Sequence, residues 1–295
     1  MDILQKIELD NSKIENIREK MINPVKVQLH SGIEGFKSPN NYGVYRNTGG
    51  DCLGVVGKSF NPLNLDLLLD SVIHSILESE LDLDVNKLEY TEYKKGAKIA
   101  FSVPLKTYEI KKSKMVGDLI ESKLLFKTGF DGKTMTSVSY FTKRLWCKNG
   151  ASSWKSDYNV AFKNTTNSQN KIFNLCEGIV QINADVENYI QLLNDLALKP
   201  ITVDMEDEYF QRVFGINRKT YLEEKTRRQN VLNSIHEVTA IELKNTGDNL
   251  FSLLQGTTRY LTHNIASQSE EALMYSGAAL TNTLAHKVAY DLCYN

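Results

Sequence analysis

At Lys171 the chain changes period, and that break constrains the fold more than any motif in it. Before it, short stretches alternate apolar and polar residues, as half-buried strands do. "KLEYTEY", "AKIAFSVPL", "SKLLFKTGF" and "TMTSVSYFT" are four of these, the last two joined at Asp131-Gly132, and "YGVYRNTGGDCLGVVG" adds a hairpin turning at Thr48 to Asp51. One helix interrupts them, "LDLLLDSVIHSILESE", with Leu65, Leu68, Leu69, Val72, Ile73 and Ile76 on one face and Asn64 as its N-cap. After Lys171 apolar residues recur every three to four positions, from "KIFNLCEGIVQINADVENYIQLLNDLAL" through "EDEYFQRVFG" and "KTYLEEKTRRQNVLNSIHEVTAIEL" to "NLFSLLQGTTRYLTHNI" and "EEALMYSGAALTNTLAHKVAYDL". The expected fold is α+β: a largely antiparallel sheet with packed helices in the N-terminal half, and a mostly helical C-terminal half. The expected divisions are a helical arm over 1–24, a basic sheet domain over 25–165 and a helical subdomain over 166–295.

Charge follows the same division. From Lys87 to Lys171 there are 17 Lys and Arg against 7 Asp and Glu, a net +10, and the rest of the chain carries −11, returning the whole to −1. A basic middle between acidic flanks marks a face for a polyanion. Lysine on exposed sheet edges also guards against aggregation, so a merely solvated rim is the competing explanation.

The four cysteines are scattered with no C-x-x-C pair, which points to reduced thiols rather than zinc or redox chemistry. The five histidines form no metal-binding pair, and no cofactor is expected. The N-terminal stretch lacks the basic start and apolar run of a signal peptide, and no window reaches the length of a membrane span. A cytoplasmic protein without a membrane partner is expected.

"GGDCLGVVGKSF" imitates the end of a phosphate-binding loop at Gly57-Lys58-Ser59, but Cys52 stands where the first glycine belongs and Pro62 interrupts the helix that should follow. A hairpin strand is the better reading. "DMEDEY", Asp204 to Tyr209, gathers carboxylates that a helix start accounts for through the helix dipole. With His263 it is also the acid and base set of an alternative reading, a metal-dependent enzyme acting on nucleic acid or nucleotides.

The basic strands with interleaved aromatics differ in kind. Lys94, Lys95 and Lys98 surround one turn, while Tyr140, Lys143, Arg144, Trp146 and Lys148 cluster near a strand's end. Single-stranded nucleic acid needs cations for phosphates and flat side chains for exposed bases. On this reading the five lysines and Arg144 contact phosphates, and Tyr140 and Trp146 stack on bases. Homo-oligomerisation through the N-terminal arm or the helical layer would extend the groove.

Four stretches resemble the phage and plasmid-like proteins grouped as domain of unknown function 932. They are "CLGVVGKSFNPLN", "GAKIAFSVPL", "FKTGFDGKTMTSVSYFTKRLWCKNGAS" and "LLQGTTRYLTHN", and the resemblance spans roughly residues 42 to 290. The chain departs from the family pattern at "KRLWCKNG", where a more apolar approach to the cysteine is expected. The resemblance implies a mobile-element origin and carries no activity of its own. The expectation is a single-stranded DNA-binding protein that serves annealing or protects replication intermediates. The enzyme above, and a phage structural or host-interaction protein, stay open as alternatives.

Overall fold

The long helix after the basic strands begins at Ile172, one residue past the break in period. The structure, a computed structural model, describes residues 9–30, 37–79, 83–114, 118–145, 150–152, 161–264, 275 and 277–295. The chain forms two compact units, each discontinuous in sequence. The first gathers Met1–Leu105, Lys123–Ser139 and Asp157–Asn183; the second gathers Lys106–Ser122, Tyr140–Ser156 and Ala184–Asn295. These units are interleaved, unlike the contiguous blocks that composition leads one to expect.

In the first unit, helix α1 (Asn11–Lys20) starts because the Asp10 carboxylate accepts the N–H groups of Ser12 and Lys13. Ile14 and Ile17 are buried, and Arg18 forms ion pairs with Asp66 and Asp70, so this helix is fixed to its own unit. Strands β1 (Pro24–His30), β2 (Lys37–Arg46) and β3 (Cys52–Gly57) form an antiparallel sheet in that order. Gly49 and Gly50 both take positive φ at the β2–β3 turn, as a tight hairpin demands. Helix α2 (Leu65–Glu78) buries the six-residue apolar face read from the sequence, and Asn64 Oδ1 caps it by accepting the N–H of Leu67 at 3.1 Å.

The larger sheet contains β4 (Glu89–Tyr93), β5 (Lys98–Pro104), β6 (Tyr108–Glu109), β7 (Leu119–Gly129), β8 (Thr136–Arg144), β9 (Gly150–Ser152) and β10 (Ala161–Phe162). Its order is β10-β8-β7-β5-β4, with β6 beside β7 and β9 beside β8. The strand pairs are antiparallel, including Phe101 with Phe126 and Ala161 with Ser137. β7 and β8 each run from one unit into the other, which is why neither unit is a contiguous block.

The second unit is chiefly helical: the later turns of α3 (Ile172–Leu198), then α4 (Val203–Phe214), α5 (Thr226–Thr246), α6 (Leu250–Arg259) and α7 (Gly277–Tyr294). A π-helical turn, Tyr260–Asn264, extends α6. α6 is buried on every side from Leu250 to Thr258, so it is the central helix of its unit. Among the described residues no helix is long and apolar enough to cross a membrane.

Candidate nucleic-acid interface

Three turns of the first unit converge on one groove of about 310 Å³. The end of β3 supplies Gly57 and the turn after it Ser59 and Phe60; the β7–β8 turn supplies Asp131 to Thr134; the segment after β10 supplies Lys163, Asn164 and Thr165. Local chemistry fixes each piece. Asp131 Oδ1 accepts the N–H groups of Lys133 (2.9 Å) and Thr134 (2.7 Å), and Oδ2 accepts the Thr134 hydroxyl (2.9 Å). Gly132 takes φ 74°, a region open to glycine at no steric cost.

The third segment is held by a buried amide. Asn164 Nδ2 donates to Gly129 O at 2.9 Å and Thr128 Oγ1 at 3.2 Å, while its Oδ1 accepts the Thr136 hydroxyl. Phe60 and Thr165 form an isolated antiparallel bridge, and Asn61 N–H donates to Asn164 O at 3.0 Å. On the β3 side, Lys26 Nζ donates to the carbonyls of Lys58 (2.7 Å) and Phe60 (2.5 Å).

The charge at this groove is one-sided. Lys133 and Lys163 line it, and exposed Lys58 lies between two lining residues. None of these three ammonium groups has an ion-pair or hydrogen-bond partner among the described residues. Asp131, the one acidic lining residue among those described, already spends its oxygens on its own turn. Such a groove has room for an anion and lacks the carboxylates that would otherwise neutralise it.

The residues singled out in sequence divide sharply. Lys94 and Lys95 are exposed at the β4–β5 turn, with φ of 50° and 58°, and Lys95 Nζ lies 3.2 Å from Asp51 Oδ1. Lys143 is half-buried on β8, opposite Gly150 of β9. Lys98, Tyr140 and Arg144 are buried, which corrects the expectation that they face a ligand. Alternation on β8 explains two of them: Tyr140, Thr142 and Arg144 share a face, and it is closed. The Tyr140 ring packs 5.9 Å from that of Tyr189, inside the core. The Arg144 guanidinium is fully engaged by Asp118 and Glu242 inside the second unit. Trp146 and Lys148 lie outside the described residues.

The acidic stretch Asp204 to Tyr209 opens α4. Thr202 caps that helix, and Asp204 and Glu206 occupy its first turn. His263 is exposed on the π-helical turn, apart from the groove's lining residues. Lys58, Lys133 and Lys163 share a signal in sequence: each sits beside a turn glycine or a buried asparagine and is followed by Ser, Thr or Asn. Their convergence depends on strand pairing, which no local pattern states.

Comparison with known proteins gives a family match. A family model described as a domain of unknown function, DUF932, covers residues 53–281, which include the groove's lining residues and the Arg144 ion pairs. No curated protein and no solved structure matches the chain. With more than three-quarters of its length matched, the chain belongs to the domain of unknown function 932 family.

Proposed function

We propose that this protein binds single-stranded DNA, with the groove of the first unit as its phosphate-contacting surface. One observation carries the reading: three lysines from three separate chain segments border a single groove without carboxylate partners among the described residues. Fixed turns hold those segments, so little ordering entropy is lost when a strand docks. Half-buried Phe60 lines the same groove and offers a flat face to a base, a contact on the order of 1–3 kcal/mol. Lys94 and Lys95 at the β4–β5 turn and Lys143 on β8 add positive charge. Annealing of complementary strands during phage-type replication or recombination in the cytoplasm is the process such binding would serve.

The test is fluorescence anisotropy with a labelled oligonucleotide, titrated across salt concentrations. Each phosphate contact on a single strand contributes a slope of about 0.7 in log affinity against log salt. Three lysines therefore contribute roughly two units of slope, and the triple change Lys58→Glu, Lys133→Glu, Lys163→Glu removes them. Affinity that is unaffected by salt, or unchanged in the triple variant, would sink the reading.

A further inference from the structure

The second unit contains an open cleft, a cavity of about 570 Å³ that the groove does not involve. Leu232, Ala240 and Leu243 of α5 form an aliphatic wall, and Tyr221 contributes an aromatic ring. The polar end holds Glu206, Arg218 and His236. Glu206 joins the other two: its Oε2 accepts Arg218 Nη2, and its Oε1 lies 3.3 Å from His236 Nδ1. Burial raises the Glu206 carboxyl, but the hydrogen bond from His236 and the charge of Arg218 outweigh it and leave it below the ordinary range.

Three features narrow what could enter. Arg218 is gripped on one side, by Glu206 and by Asp207 at 3.9 Å from Nε, while Nη1 has no partner among the described residues. Two carboxylates facing one guanidinium leave no surplus positive charge, so the cavity offers a phosphate no advantage. His236 Nε2 is buried without a hydrogen-bond partner among the described residues, and the ring meets Phe210 edge-on at 5.0 Å, so this nitrogen is not presented as a general base.

A neutral, flat ligand with acceptors for a fixed arginine edge satisfies all three features. We infer that this cavity receives an unpaired guanine base, read by Arg218 at O6 and N7 and packed against Tyr221 and the aliphatic wall. Guanine is the base that presents two adjacent acceptors to an arginine, whereas adenine places an amino donor beside N7. The cleft is open to solvent, and its volume lies within the range of small-molecule sites. The inference rests on the single-strand binding proposed above, to which it adds a base preference.

Isothermal titration of the full chain with guanosine, which carries no phosphate, tests it. Guanosine is expected to bind at least tenfold tighter than adenosine, and Arg218→Lys to remove that margin. Because Arg218→Lys also loosens Glu206, Ala240→Phe supplies a second variant, which narrows the cleft at a lining residue outside the Glu206–Arg218–His236 contacts. Circular dichroism confirms that both variants fold. Equal affinity for the two nucleosides, or guanosine affinity unchanged by Ala240→Phe, overturns the assignment. The groove variant Lys58→Glu, Lys133→Glu, Lys163→Glu separates the two ideas: it is expected to lose oligonucleotide binding and keep guanosine binding. Oligonucleotide binding without any guanosine binding defeats the guanine pocket alone. Guanosine binding without oligonucleotide binding defeats the groove alone.

Discussion

Arg144 and Asp118 face each other as a two-pronged pair, with Nε 2.5 Å from Oδ1 and Nη2 2.6 Å from Oδ2, and both side chains closed to solvent. The third guanidinium nitrogen, Nη1, donates to Glu242 Oε2 at 2.8 Å, and Arg259 Nη1 completes Glu242 by meeting Oε1 at 3.0 Å. The Phe251 ring lies 5.3 Å from the guanidinium carbon. Asp118 thus depends on this one arginine, and Glu242 shares it with Arg259. Replacing it leaves charge stranded in a dry site, which costs about 3–5 kcal/mol.

Arg144→Lys is expected to be nearly as damaging as Arg144→Ala, because an ammonium cannot reproduce the planar fork that engages both carboxylates. Urea denaturation of the two variants checks this. A lysine variant within about 1 kcal/mol of the parent would show that geometry matters little here. The same preparations bear on binding. While the variants remain folded, their oligonucleotide affinity should stay at the parent's level, since Arg144 is inaccessible.

The β4–β5 turn makes the opposite prediction. Lys94, Lys95 and Gly96 are three successive residues at positive φ, and for lysine that conformation costs roughly 1–2 kcal/mol. Glycine at 95 removes the strain but loses more chain entropy on folding, by about 0.5–1 kcal/mol. The Lys95–Asp51 pair is exposed and contributes little. Lys95→Gly should therefore raise stability by about 0.5–1 kcal/mol, visible as a higher Tm. A fall in Tm would mean that the ion pair outweighs the backbone strain. If Lys95 also serves a bound strand, the more stable variant will bind DNA less tightly.

These two sites also mark what the sequence could and could not disclose. α2 is legible to its cap because helix periodicity and an Asn N-cap are local signals, and the turns at Gly49-Gly50 and Asp131-Gly132 are legible for the same reason. Arg144 reads in sequence as a surface cation because its partners lie 26 and 98 residues away. Its neighbours on β8, Lys143 with Tyr140 and Phe141, suggest a basic aromatic surface, yet the alternation that puts Tyr140, Thr142 and Arg144 on one closed face is equally present in the same stretch. The groove lysines are visible singly. Only the pairing of β10 with β8 and the bridge between Phe60 and Thr165 bring Lys163 and the turn after β3 to one place.

Gly256 provides a third test, where α5 packs against α6. A Cβ there would lie 2.3 Å from Thr239 Oγ1 and 2.8 Å from the Thr239 backbone. A hydroxyl can rotate away, but a backbone atom cannot, so the helices must separate. Gly256→Ala should cost about 1–3 kcal/mol, although alanine is the better helix former. Adding Thr239→Ala removes the hydroxyl clash and leaves the backbone clash, so it is expected to recover only part of the loss. Full recovery in the double variant would place the whole conflict in the side chain.

The last prediction concerns acid. His286 is buried in α7, its Nδ1 donating to the Asn282 carbonyl at 2.7 Å and its Nε2 accepting the Tyr189 hydroxyl at 2.9 Å. That arrangement uses the neutral ring fully. Burial pushes the imidazole down to about 4, against an opposing hydrogen bond to Asn282. An unfolded histidine titrates near 6.5, so between those values the unfolded chain binds more protons and stability falls as pH falls. The slope approaches about 1.4 kcal/mol per pH unit below 6.5, which makes roughly 1.5 kcal/mol between pH 6.5 and 5 and about 2 kcal/mol between pH 7 and 5. His286→Gln keeps a side chain able to donate and accept but cannot titrate. Carboxylates such as Glu206 add their own acid sensitivity lower down, so the informative quantity is the difference between parent and variant. Denaturation at pH 7 and pH 5 should show the parent losing about 2 kcal/mol more than His286→Gln over that interval. Parallel losses would mean that the ring is protonated in the folded state without penalty, and the Tyr189 hydroxyl would then have to accept from it rather than donate.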